Sequence, residues 1–291
     1  MASRFDTITF LSDYGSGDEF VGVVRSVIRS IAPHAAVIDL THEIPPYDVL
    51  AGSLTLGRAA QYLCPGVVLA VVDPGVGTER RGVAIEVGGG QSYLVGPDNG
   101  LLASAVAMSG GATAAVALTN RAYQLPAPGP TFAGRDVFAP AAAHLCNGVP
   151  LAELGTPIDL DSLLPGLMPL PQERTDDGSL MGQVIWVDRF GNCQLNVDPD
   201  EVDHLGLLVQ LRWGDDVRTA QRSVTYQGIA PGQIGLVVDS YGMLSVCMGK
   251  RSAADELKMP VGTEVALVSP GADGPPAAGS TPVTLTPRST P

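Results

Sequence analysis

An unbroken apolar run, Val67-Val68-Leu69-Ala70-Val71-Val72, leads straight into Asp73 and the turn Pro74-Gly75-Val76-Gly77. A strand with one wet face alternates apolar and polar side chains. A short run without alternation belongs to a strand covered on both faces, as in a parallel sheet packed between helices. Ligands of such sheets collect where the strands end. Asp73 therefore stands at the mouth of a cleft, with Arg80 seven residues further on.

The rest of the N-terminal half alternates strand and helix signals. Residues 5–12 read as a strand ending at Asp13-Tyr14-Gly15, and Phe20, Val21, Val24, Val27, Ile28 and Ile31 follow at helical spacing. A strand is expected near 36–40, a helix over 49–62, and a strand pair at 83–87 and 92–95 that turns through Gly88-Gly89-Gly90. Asp98-Asn99-Gly100 predicts a capped helix over 101–108. Asp136 predicts a second cap before an Ala-rich helix with Pro140 in its first turn. The expected fold over residues 1–164 is an α/β domain with a mostly parallel sheet covered by helices. A Pro-rich and polar stretch, 165–179, reads as a linker. Residues 180–269 carry short alternating runs punctuated by glycine turns, which predicts a small all-β domain, barrel or sandwich, with one helix over 253–258. The tail, 270–291, is rich in Gly, Pro, Ala and Thr, has little to bury and is expected to be mobile.

The 291-residue chain carries a net charge of −13 without a basic patch to offset it, so nucleic acid is not an expected partner. No apolar stretch approaches membrane-spanning length, and residues 1–6 lack the basic and apolar regions of a secretory signal. The cytoplasm is the expected compartment, with no membrane partner. Cys64, Cys146, Cys193 and Cys247 show no paired spacing and the histidines are scattered, so reduced thiols and no metal site are expected. Gly75 and Gly77 imitate the start of a dinucleotide fingerprint, but the third glycine is missing.

Other polar residues stand at turns and each has two readings. Asp13 can accept bonds from a vicinal diol, or form an Asx turn that caps the following helix. Asp18 can pair with a ligand amine or cap that same helix, the cap being the commoner role. Asp188, Arg189 and Asn192 sit where a strand breaks into a turn, which is either a binding loop or only a loop. Asn99 reads as a cap.

Seven short words complete the picture: Phe10-Leu11-Ser12-Asp13-Tyr14-Gly15, Thr41-His42-Glu43-Ile44, Val72-Asp73-Pro74-Gly75-Val76-Gly77-Thr78, Gly96-Pro97-Asp98-Asn99-Gly100, Thr131-Phe132-Ala133-Gly134-Arg135-Asp136, Asp188-Arg189-Phe190-Gly191-Asn192 and Asp239-Ser240-Tyr241-Gly242. Each is weak alone. In this order, across nearly the whole chain, the set resembles the S-adenosylmethionine hydrolases, or hydroxide adenosyltransferases, which are similar to the bacterial fluorinase and chlorinase. The resemblance implies a homotrimer whose active site lies between the N-terminal domain of one subunit and the C-terminal domain of its neighbour. It implies that Asp13 holds the ribose hydroxyls with Tyr47 beside the sugar, and that Asp18, Asp188 and Ser240 hold the methionine ammonium and carboxylate. Asn192, Phe190, Tyr226 and the chain from Met248 to Lys250 fall on the adenine side, and Phe132 and the Gly134 backbone border the nucleophile.

The implied reaction is attack of water on the 5′ carbon of S-adenosyl-L-methionine, releasing adenosine and L-methionine; this molecule is the substrate, and no cofactor is implied. Water, with a pKa of about 15.7, needs help at neutral pH, and a positioned base typically contributes about 10² to 10⁴ in rate. Asp73 and Arg80 match two members of an Asp, Arg and His cluster that orients the water in the family. Ala133 stands where the hydrolases carry His and the halogenases Tyr, so intact binding with slowed turnover is expected. A chlorinase-like halogenase is the competing enzyme reading, and Asp73 argues against it because a carboxylate repels halide. A catalytically silent binder of S-adenosylmethionine or adenosine is the third reading.

Overall fold

In a computed structural model that describes residues 5–166, 169–173 and 178–270, the apolar run at 67–72 lies inside a seven-stranded sheet. The chain divides into two compact units, residues 1–168 and 169–291. The sheet of the first unit contains β1 (Thr7–Ser12), β2 (Ala36–Thr41), β3 (Val67–Val71), β4 (Gly82–Val87), β5 (Ser92–Pro97), β6 (Ala112–Ala117) and the short β7 (Thr156–Pro157), in the order β2-β1-β3-β5-β4-β6-β7. The first four positions, β2-β1-β3-β5, are mutually parallel, and β4, β6 and β7 add an antiparallel flank. The glycines 88–90 turn the β4–β5 hairpin, all at positive φ, a conformation that costs glycine nothing.

At β3 both faces of this sheet are covered, whereas the edge strand β2 is largely exposed. Val67, Leu69 and Val71 of β3 share one core with α1 (Phe20–Ile31) and with a later helix at 139–146. The alternate residues Val68, Ala70 and Val72 are equally buried, and Val72 meets α2 (Val49–Ala59) at Gly52. That helix packs in turn on α3 (Ala103–Met108), where Ser53 and Ser104 share a 2.8 Å hydrogen bond. The later helix is α4 (Ala139–Cys146). Burial on two sides explains why β3 has no polar alternation.

Four cap readings, that of Asp13 being one of two alternatives, are corrected by the structure. The helix read over 101–108 starts at Ala103 without a side-chain cap; Asn99 instead donates to Val72 O (2.9 Å) and accepts from Leu101 N (3.1 Å), tying the end of β3 to the turn before α3. Asp136 lies inside a wide π turn, Gly134–Phe138, that runs on into α4, so no helix start is left for it to cap; its carboxylate bonds Arg135. Neither Asp13 nor Asp18 caps α1, which begins after Glu19 with no side-chain cap.

The second unit holds β8 (Gln172–Glu173), β9 (Leu180–Val187), β10 (Cys193–Leu195), β11 (Leu208–Trp213), β12 (Asp216–Ser223), β13 (Ile234–Val238), β14 (Leu244–Met248) and β15 (Glu264–Val268). Their order is β10-β14-β13-β12-β11-β15-β9-β8, and β9 also pairs with β10. The sheet therefore closes on itself as a seven-strand barrel, a device that removes exposed strand edges. Val184, Leu195, Leu211, Leu236, Val246 and Leu267 fill its interior. Its one α-helix among the described residues, α5 (Ala253–Leu257), is capped by Ser252, whose Oγ accepts from Asp255 N, and ends at Lys258 in the left-handed conformation. The strand β8 falls within the stretch read as a linker, and the tail from residue 271 lies outside the described residues. Among the described residues no helix is long and apolar enough to cross a membrane.

Candidate active site

The parallel core places two carboxylates together. β1 pairs with β2 on one side and β3 on the other, so the strand order reverses direction between β1 and β3, the position where open α/β sheets bind ligands. Ser12 is in register with Val71, and the next residues out are Asp13 and, two beyond Val71, Asp73. Both acids line a cavity of about 310 Å³ together with Tyr14, Tyr47, Phe132, Ala133 and Gly134.

Asp73 is almost fully buried, its side chain 5% exposed. One oxygen, Oδ2, accepts from Arg80 Nη2, while Oδ1 is buried and makes no hydrogen bond of good geometry among the described residues. Arg80 is fixed by two further contacts: Nη1 donates to Arg81 O (2.9 Å), and the guanidinium lies 5.4 Å from the Phe138 ring centre. Burial pushes the Asp73 carboxyl above its usual pKa. The charge and hydrogen bond of Arg80 and the Gly75 backbone N–H pull the other way, and nearby Asp13 adds to the rise. The result is a carboxylate with one oxygen steadied by Arg80 and the other left without a well-formed hydrogen bond among the described residues.

Asp13 does not make the local Asx turn. Its Oδ2 accepts from the backbone N–H of Tyr47 at 2.9 Å, across 34 positions of sequence. Tyr47 has φ of 69° and an exposed ring; a left-handed non-glycine residue carries backbone strain of about 1–3 kcal/mol, which structures tolerate most often at functional loops. Tyr14, Phe20 and Phe132 form a ring cluster with centroid separations of 5.1 to 5.7 Å. A β-carbon added at Gly134 would meet the Tyr14 hydroxyl at 2.2 Å, so glycine is required there by close approach. Ala133 lines this cavity and also a second one of about 520 Å³ that Arg80 and Arg121 border. Asp18 lies outside the cavity lining, exposed in the turn before α1.

In the barrel unit, Asp188, Phe190, Asn192, Tyr226, Ser240, Met248 and Lys250 line a single cavity of about 680 Å³. Asp188 organises its loop: Oδ1 accepts from Phe190 N (2.8 Å) and Asn192 N (2.9 Å), and Oδ2 from the Asn192 side chain (2.8 Å). Asp239 does the same for the loop carrying Ser240, accepting from Tyr241 N, Met243 N and the Gln194 amide. Burial, helped by Asp239 and Asp188, pushes the Tyr226 hydroxyl up to about 12, which keeps it a neutral donor. Lys250, like Tyr47, is left-handed, with φ of 58°. Gly191 has φ of +79° and a β-carbon there would come within 2.1 Å of the Ser252 hydroxyl. Gly191→Ala is expected to destabilise the barrel by about 1–3 kcal/mol, through backbone strain and overpacking together; calorimetric unfolding measures it.

Family models for the SAM hydroxide adenosyltransferase N-terminal and C-terminal domains match residues 8–155 and 182–266. The chain belongs to the SAM hydroxide adenosyltransferase family. It is 40% identical over 262 residues to an (R)-S-adenosyl-L-methionine hydrolase from Salinispora tropica, covering 90% of this chain and 97% of that one. A fluorinase from Actinoplanes sp. is more distant, at 27% identity over 289 residues, 89% of this chain and 96% of the other. The crystal structure of an uncharacterized conserved protein from Thermotoga maritima superimposes with a TM-score of 0.81 at 33% identity, over 89% of this chain and 99% of that one.

Within this hydroxide adenosyltransferase, several lining residues carried no motif signal of their own. Tyr14 and Phe20 wall the Asp73 cavity, and Cys247, Arg251 and Ser252 join the barrel cavity. Tyr14 stood in plain view inside Asp13-Tyr14-Gly15, but an aromatic residue in a turn is ambiguous until its ring is seen against Phe132 and Gly134.

Proposed function

We propose that this chain hydrolyses S-adenosyl-L-methionine to adenosine and L-methionine, at a rate held down by Ala133. One observation carries the reading: a buried carboxylate with one oxygen tied to Arg80 and the other without a well-formed hydrogen bond among the described residues, in a cavity shared with Asp13. The 5′ carbon is attacked by a water oxygen, the carbon–sulfur bond breaks, and its electron pair leaves neutral methionine. The water's proton passes to Asp73 as the new bond forms. Charge disappears from sulfur in this step, so an enclosed site that aligns oxygen, carbon and sulfur contributes most. Asp13 is suited to the ribose diol because its carboxylate is already oriented by the Tyr47 N–H. In the barrel cavity, Asn192 and Tyr226 offer neutral hydrogen-bonding groups for the adenine, with Phe190 and Met248 as apolar surface, while Asp188 and Ser240 face the amino-acid end.

The test is turnover in ¹⁸O water. Hydrolysis at the 5′ carbon puts one heavy oxygen in adenosine and none in methionine; unlabelled adenosine, or no adenosine after long incubation, overturns the reading. The second outcome, paired with calorimetric binding of the substrate, is the signature of a silent binder, which the missing polar group at Ala133 favours.

The working form is proposed to be a cytoplasmic homotrimer in which each cavity of the Asp73 type is completed by the barrel of a neighbouring subunit. Light scattering should give three chain masses. Trimers assembled from Asp73→Asn and Asn192→Ala chains should then regain activity that neither variant shows alone, since some sites receive both intact halves; no recovery would assign both cavities to a single chain.

A further inference from the structure

The word Thr41-His42-Glu43-Ile44 has no part in the chemistry above, yet its histidine is 10% exposed and wedged against the first strand. We propose that His42 is a positioning residue that sets the Asp13 turn, through Ser12, for a ligand bearing a vicinal diol. The proposal rests on the reading that the Asp13 cavity takes the sugar of an adenosyl group.

His42 Nδ1 lies 2.8 Å from Ser12 Oγ, and Ser12 is completely buried. The same hydroxyl oxygen accepts from Tyr14 N at 3.3 Å. The Asp39 carboxylate lies 3.0 Å from Nε2 and can only accept, which favours the proton on Nε2 and leaves Nδ1 to accept the Ser12 hydroxyl hydrogen. Nε2 is off the axis of a linear hydrogen bond to Asp39 Oδ1 but close enough to feel its charge. Asp39 is itself held by Arg25 of α1. Burial and the Arg25 charge hold the imidazole below its usual pKa, against a smaller opposing effect of Glu43, and so favour this neutral form.

The backbone of His42 takes hold of the same turn, since its carbonyl accepts from Gly15 N at 2.7 Å. One residue thus grips Tyr14 through Ser12 and Gly15 directly, on the far side of Asp13. Asp13 is anchored at its other end by the bond from its N–H to Val71 O (3.3 Å). The Phe10 ring packs edge-on against the imidazole at 4.6 Å, which fixes its plane. His42 is not among the residues that line the cavity, so its influence passes through the turn.

The experiment compares wild type, H42A and H42N by adenosine calorimetry and by steady-state kinetics with S-adenosylmethionine. An Asn amide oxygen can accept the Ser12 hydroxyl where Nδ1 did. Losing one buried hydrogen bond of about 1–1.5 kcal/mol corresponds to about tenfold in affinity. H42A is expected to weaken adenosine binding and raise KM by about that factor, with a smaller change in kcat, and H42N to recover most of both. Nitrogen NMR of the wild type should show the neutral tautomer protonated on Nε2. Binding in H42A within twofold of wild type, H42N as weak as H42A, or a proton on Nδ1 would each overturn the proposal. Should H42A fail to fold, Ser12→Ala carries the test, with the same KM-dominated loss expected and an unchanged KM overturning it. Wild type that binds neither adenosine nor S-adenosylmethionine overturns the adenosyl reading itself, and is told apart because the failure precedes any substitution.

Discussion

Ala133→His is expected to raise kcat for adenosine release by about 10² to 10⁴, the usual contribution of a positioned general base or its orienting partner. The space exists: Ala133 borders cavities of about 310 and 520 Å³, one holding Asp73 and the other Arg80. The backbone also permits it, because Ala133 has ordinary right-handed helical angles that histidine adopts without strain. An imidazole there would give the attacking water a second polar contact beside Asp73 Oδ1, narrowing its orientations toward the in-line geometry that an effective intramolecular attack requires. The gain should fall on kcat, with KM changed little, because the groups proposed to hold sugar and adenine are untouched. A single-turnover assay measures it, and a rate equal to that of the Ala133 chain would show that the position is not part of the water-orienting cluster.

Asp73→Asn is expected to lower kcat by about 10² to 10⁴ when introduced alongside Ala133→His. The amide keeps an oxygen to accept from Arg80 but cannot take a proton from water at useful rate. Activity and stability should respond to pH in opposite directions. Folding raises the Asp73 pKa, so the protonated acid is the form that folding favours. Its contribution to stability is present below the unfolded carboxylate pKa and is lost as pH rises through the higher folded value. At neutral pH the buried charge is therefore a cost that the Asn variant is spared, while Arg80, 14% exposed, loses its counter-charge, so the two effects on Tm oppose each other. Catalysis needs the ionised form, so kcat/KM, which reports the free enzyme, should fall as pH drops through that same raised value. Paired kcat/KM and Tm profiles measure both. A Tm drop of many degrees in Asp73→Asn would instead make the carboxylate a structural anchor for Arg80.

The elements of the fold were legible because their signals are local. Periodic apolar residues marked α1, the unalternated run marked β3, and three glycines at positive φ marked the β4–β5 hairpin. Asp13, Asp73, Asp188, Asn192 and Ser240 were legible for a different reason: each stands in a short word at the end of a strand, where open α/β sheets and barrels present their loops. Less legible were residues such as Tyr14 and Ser252, whose types suit a packed ring or a helix cap as well as a binding wall.

The amino-acid order alone determined an acidic chain with a covered α/β sheet, a following all-β domain, and Asp73 leaving a buried strand ahead of Arg80. Only the tertiary structure decided what the turn carboxylates and amides do. Asp136 bonds Arg135 inside a π turn, Asn99 ties β3 to α3, and Asp13 accepts from Tyr47. The closure of β9 onto β10, which makes the β unit a barrel, and the hold of His42 on Ser12 were decided at the same level. The physical reason is that apolar periodicity is written within a few residues, whereas an acceptor oxygen has the same chemistry whether its donor is two residues away or thirty. Which donor it meets is settled when the strands come into register.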